Sequence, residues 1–183
     1  KSSFKITKEK DEILKINIKD IKNDDGDLIA WIWFGLSKFK GVIHKDCQMR
    51  GLRLRKENIQ IGTDDALQKI FKEDRGDHYF VGEVFAINKD LIPNSQRDYF
   101  NENDMRNQFE KALKEYFNDE LKRIYYAGSA LNSAFNKIEL ASKKEAAYKE
   151  KLANGDFNDV AHKEKEKADL EKSITLAQKA KVE

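Results

Sequence analysis

The chain has one proline, one cysteine and nine glycines among its 183 residues. With Cys47 alone, no internal disulfide can form, which suits a reducing compartment and leaves packing to hold the fold. No apolar run approaches the roughly 20 residues that span a bilayer, and no basic-then-apolar leader opens the sequence. A soluble, cytoplasmic protein is the expectation, with no membrane contact. The sequence enters a charged, strand-like stretch directly from Lys1, which reads as a fragment cut from something longer. The glycines form no G-x-x-x-x-G-K-[ST] loop, no G-x-G-x-x-G turn and no G-x-S-x-G elbow. By itself this chain is not expected to hold a nucleotide.

An excess of one charge is missing too. Lys and Arg number 35 against 33 Asp and Glu, for a net charge of +2, although 37% of all residues are charged. That balance argues against a general polyanion binder. His44, His78 and His162 lie far apart, and none sits in a metal-ligand spacing. Cys47 follows His44 by one short step, but a nucleophile needs a positioned base and an oxyanion site. No metal site and no cysteine enzyme are expected.

Among the features present, Leu14, Ile16 and Ile18 alternate with polar residues, the period-two pattern of a half-buried strand. NDDGD (23–27) supplies turn chemistry, and LIAWIWFG (28–35) follows as a strand apolar on both faces. Trp31 and Trp33 then read most simply as core residues, with ligand stacking as the alternative. Further strands are expected at GLRLR (51–55), NIQIG (58–62) and HYFVGEVFAI (78–87). TDDALQKIFKE (63–73) carries Ala66, Leu67, Ile70 and Phe71 at helical spacing behind a Thr/Asp cap. The expected fold is α+β, a mixed sheet with helices on it, over residues 1–125.

After Asn103 the pattern becomes helical, with Asp104 able to cap. Phe109, Leu113, Phe117, Leu121, Ile124, Leu131, Phe135 and Ile138 recur at three- and four-residue steps, with Gly128 in their seam. So long a stripe predicts a coiled-coil-like arm over 126–183. ANGDFND (153–159) breaks it, and Val160, Leu170, Ile174 and Ala177 predict a returning helix, hence an antiparallel hairpin and a route to a homo-dimer.

Two stretches carry candidate chemistry. In MRGLRLRKEN stand Arg50, Arg53, Arg55 and Lys56. On a strand Arg53 and Arg55 point away from Leu52 and Leu54, so a basic stripe backs an apolar face. It could meet phosphate, nucleic acid or an acidic partner, or be a strand face kept soluble by charge. In LIPNSQRDYFN (91–101), Pro93 fixes its own φ and extends Ile92. Asn94 or Ser95 can then cap a following helix, leaving Arg97 to face an anion such as a terminal phosphate. The alternative is Arg97 paired with Asp98 in a surface loop.

GLRLRKENIQIG followed by VGEVFAINKDLIPNSQRDYF resembles the middle, or transducer, domain of the GHKL ATPases, specifically bacterial relatives of the heat-shock protein 90 chaperones. In that family a short acidic segment, a proline and an N-x-x-R element follow the corresponding strand. Here they are Lys89, Asp90, Leu91, Ile92 and Pro93, then Asn94 and Arg97. The similarity runs over residues 51–109, reaches back to the strand at 31–35, and leaves the tail uncovered.

The resemblance implies the βαβ transducer fold shared with gyrase B and the MutL mismatch-repair proteins. It makes Arg97 the arginine that contacts the γ-phosphate of ATP held by an N-terminal domain of the same parent chain, and Asn94 the residue that holds the loop. Asn101 falls where the family has a glutamine. ATP and Mg would belong to the parent protein. This fragment would bind neither alone, because the family's acidic-and-asparagine helix, D-x-G-x-G turn and Gly-rich lid are not in it. The other readings are a non-enzymatic scaffold presenting a coiled-coil arm, and a DNA-associated transducer acting through Arg50, Arg53, Arg55 and Lys56.

Overall fold

The computed structural model describes residues 3–5 and 10–182. Lys1 and Glu183, the outer bounds of the two expected domains, lie outside the described residues. The chain divides into two compact units, Lys1–Ser129 and Ala130–Glu183.

In the first unit, β1 (Ser3–Lys5) and β2 (Lys10–Glu12) form a separate antiparallel ribbon. The main sheet starts with β3 (Lys15–Lys22) and β4 (Leu28–Leu36). Their turn is closed by the Asn23 side chain, which accepts the Asp27 N–H at 2.7 Å. Gly26 supplies the left-handed residue there, at φ +86°. A second hairpin joins β5 (Gly51–Lys56) to β6 (Ile59–Ile61). The last strand, β7 (Val81–Ala86), lies antiparallel to β4 and parallel to β5, giving the order β3-β4-β7-β5-β6. The protein is thus α+β with a five-stranded mixed sheet.

The link from β6 to β7 corrects one expectation. Residues 63–73 do not form an α-helix; two 3-10 turns, Gln68–Ile70 and Asp74–Tyr79, fill the crossover. A three-residue period puts Leu67 and Ile70 on one side, and both are buried in the core. Neither turn has a side-chain cap. The expected strand at 78–87 also shortens, because His78 and Tyr79 belong to the second turn.

One face of the sheet carries Ala30, Ile32, Phe34, Leu52, Leu54, Val84 and Ala86, all buried. They join Phe109, Leu113, Phe117 and Leu121 in a single core cluster. These four come from α1 (Asp104–Tyr116) and a π-turn (Phe117–Leu121) that continues into α2 (Lys122–Asn154). A row stepping by four residues overshoots a 3.6-residue turn and drifts around the helix. The wider π-turn absorbs part of that drift, so that Leu121 and Tyr125 stay buried. The helix starts at the Asn103 cap, whose side chain accepts the Arg106 N–H at 2.8 Å. Neither Asn94 nor Ser95 caps it, nor does Asp104, its first residue.

Trp31 and Trp33 are not core residues either. They lie half-buried on the opposite face. Trp31 stacks on Phe85 with ring centroids 4.2 Å apart, and Trp33 Nε1 donates to Glu83 at 3.0 Å. That face is closed by cross-strand stacking and hydrogen bonding.

In the second unit, the later turns of α2 and α3 (Val160–Val182) run antiparallel. Lys151 meets Glu166, and Lys144 Nζ donates to Ser173 Oγ at 3.0 Å, pairs that step along the two helices in opposite directions. Gly155, at φ +72°, ends α2. The Asp159 carboxylate caps α3 by accepting the His162 N–H at 2.6 Å. Among the described residues no helix is long and apolar enough to cross a membrane.

Candidate functional site

The loop after Pro93 is a closed structure in its own right. Pro93 and Phe100 form an antiparallel bridge. The Asn94 N–H donates to the Tyr99 carbonyl and the Asn101 N–H to the Ile92 carbonyl, each at 2.9 Å. Inside the loop the Arg97 N–H donates to the Asn94 carbonyl at 3.0 Å, and the Asn94 side-chain amide donates to the Asp98 carboxylate. Asn94 therefore ties the loop at three atoms. Asn101 takes part through its backbone, with its side chain exposed.

Arg97 stands at the tip with φ +55°, a left-handed conformation that costs a non-glycine residue about 1 kcal/mol or more. Its carbonyl is anchored by the Gly62 N–H at 2.8 Å. Asp98 is engaged by Asn94 and not by Arg97. Among the described residues the exposed Arg97 guanidinium has no hydrogen-bond or ion-pair partner.

Arg97 borders a cavity of about 190 Å³ shared with Lys56, Lys89 and Glu57 and walled by Ile59, Ile61, Leu91, Ile92 and Pro93. Lys56 Nζ donates to the Asn88 carbonyl at 2.7 Å, which fixes its ammonium at the rim. Three cations against one carboxylate favour an anion. Pockets for drug-sized ligands and cofactors run to about 300–1,000 Å³, so this one suits a phosphate-sized group rather than a nucleotide.

The basic stripe of Arg50, Arg53, Arg55 and Lys56 is split three ways by the fold. Arg53 pairs with Asp64 at 3.0 Å, and Arg55 pairs with Glu83. Lys56 turns to the Arg97 cavity. Arg50 lies close enough to Asp77 and His78 to act on both electrostatically. With both strand arginines neutralised, the stripe is a weak match for a nucleic-acid backbone.

The crossover also gathers groups that no sequence spacing announced. Asp65, Asp77 and His78 bring ligand-type atoms within 4.8 Å of one another. Asp77 is fully buried: Oδ1 accepts the Leu52 N–H at 2.9 Å, and Oδ2 has no partner. Burial pushes the Asp77 carboxyl up to about 7, and burial followed by the charge of Arg50 holds His78 below its ordinary value. Asp65 also lines a larger cavity, about 480 Å³, beside Lys69, Asp74, Asp98 and Tyr99.

No protein-family model matches the chain, and no curated protein or solved structure shows significant similarity to it.

Proposed function

We propose that this chain is the transducer part of a chaperone-like GHKL ATPase, supplying Arg97 to the γ-phosphate of ATP bound by an N-terminal domain of the same protein. The observation that carries the reading is Arg97 itself: exposed, left-handed, without a counter-ion among the described residues, and held at the loop tip by Gly62 and Asn94. A surface arginine with no task does not need a strained backbone anchored at both its N–H and its carbonyl. Lys56 and Lys89 beside it add positive potential where phosphate charge would develop. In this reading Mg and the remaining phosphate contacts come from the ATP-binding domain, and Asn94 positions the loop. Asn101 closes it through its backbone. Because the arginine arrives from a second domain, hydrolysis waits for the domains to close.

An arginine supplied this way is worth roughly 10³ to 10⁵ in turnover in other nucleotide hydrolases. Arg97→Ala in the full-length protein is therefore expected to lower ATP turnover by about 10³ with nucleotide affinity nearly unchanged. Equal turnover in variant and wild type would make Arg97 a structural residue.

A second reading, a non-enzymatic interaction scaffold, is favoured by one feature of the arm. Leu131 and Phe135, one turn apart on the same face, are 61% and 65% exposed. An apolar row so accessible suits a helical partner or a second copy of the chain.

A further inference from the structure

We propose that Asp65, Asp77 and His78 form a binding site for a divalent transition-metal ion of the manganese or zinc class. Two carboxylates and one imidazole are the donor set such ions take, harder than a thiolate site and softer than the all-oxygen cages of Mg and Ca. Their ligand atoms already lie within 4.8 Å of one another. Ligands about 2.1 Å from a common ion stand no more than about 4.2 Å apart, so a small side-chain rotation of the exposed Asp65 closes the set.

The buried oxygen carries the argument further than the cluster does. Asp77 is 0% exposed, and one oxygen suffices to accept the Leu52 amide. Oδ2 is left in the interior with no donor among the described residues, an unfavourable arrangement unless something binds there. Space is kept for it. A Cβ on Gly51 would lie 2.6 Å from Asp77 Oδ2 and 3.2 Å from the Asp64 carbonyl, and Gly51 has φ +91°, so a side chain is excluded on two grounds.

The His78 ring makes no hydrogen bond or ion pair among the described residues, which leaves its lone pair for a metal. Three protein ligands leave coordination positions for water or a small anion. Asp65 sits on the wall of the cavity of about 480 Å³, so those positions have an access route.

The test is calorimetric titration of chelator-stripped chain with MnCl2 and with ZnCl2, with thermal melting alongside. The expected result is saturable one-to-one binding of at least one of the two ions and a higher melting temperature. His78→Gln and Asp65→Asn, both outside the core, are each expected to weaken binding at least tenfold. Asp77→Asn, which keeps the Leu52 acceptor, is expected to abolish the thermal shift. His162→Gln, beside Glu166 in the arm, should change nothing. Failure of the wild type to bind either ion at one-to-one would overturn the proposal. So would undiminished binding in His78→Gln and Asp65→Asn, or loss in His162→Gln.

Discussion

The backbone N–H of Gly62, the residue after β6, donates to the carbonyl of Arg97 at 2.8 Å. One glycine thereby connects the sheet edge to the loop tip that displays the exposed guanidinium. A Cβ at Gly62 would lie 2.6 Å from the Asp98 carbonyl and 2.9 Å from the Ala66 Cβ, with φ at +70°. Gly62→Ala is expected to destabilise the chain by about 1–3 kcal/mol, measured by urea unfolding. If the chain is the transducer proposed above, Gly62→Ala in the full-length protein should lower ATP turnover more than a surface variant of equal stability does. A loss no greater than that control would mean that the Gly62 contact does not set the position of Arg97.

Gly128 lies within α2, where helix propensity alone favours alanine by about 1 kcal/mol. Its environment opposes that gain. A Cβ there would come within 2.4 Å of the Phe39 ring, and Phe39 is 6% exposed with φ +50°. Tyr79 and Phe80 lie against the same ring, which has nowhere to retreat. Overpacking of this kind costs about 1–3 kcal/mol. Gly128→Ala should therefore lower the melting temperature, and a rise would show that Phe39 repacks freely.

The exposed row on α2 gives a hydrodynamic prediction. If Leu131 and Phe135 mediate self-association, the chain sediments as a dimer and Leu131→Asp as a monomer, with unchanged helix content by circular dichroism. Identical sedimentation of the two proteins would remove the homo-dimer from the scaffold reading.

The parts of the fold visible in the sequence are those fixed by local chemistry. The β3–β4 hairpin is marked by its Asn23 and Gly26 turn, but the half-buried face expected of Leu14, Ile16 and Ile18 is not found: they are 57%, 56% and 70% exposed, and Ile21 is the buried residue of β3. The buried row from Phe109 to Leu121 is marked by its spacing, and the hairpin of the second unit by Gly155 and Asp159. Trp31 and Trp33 read as core because a strand apolar on both faces does not say which face the helix covers, and that cover comes from residues more distant in the chain. Residues 63–73 read as an α-helix because Leu67 and Ile70 satisfy a 3.6-residue period as well as the three-residue one they adopt. In the Arg97 loop the chain order gave Pro93, Asn94 and Arg97, but the partners Gly62 and Lys56 come from the opposite side of a crossover. Asp65, Asp77 and His78 have no diagnostic spacing, because two consecutive turns bring them together.

The position of β7 in the sheet has a kinetic consequence. It is the last strand of the chain and the middle strand of the sheet, with β3 and β4 on one side and β5 and β6 on the other. A nascent chain that ends before Val81 can form both hairpins yet has nothing to join them, and Ile32 and Leu54 each lack the neighbour that flanks them in the finished sheet. Assembly thus waits on six late residues, Val81–Ala86, and until they are made the growing polypeptide presents two open strand edges to chaperones and to other chains.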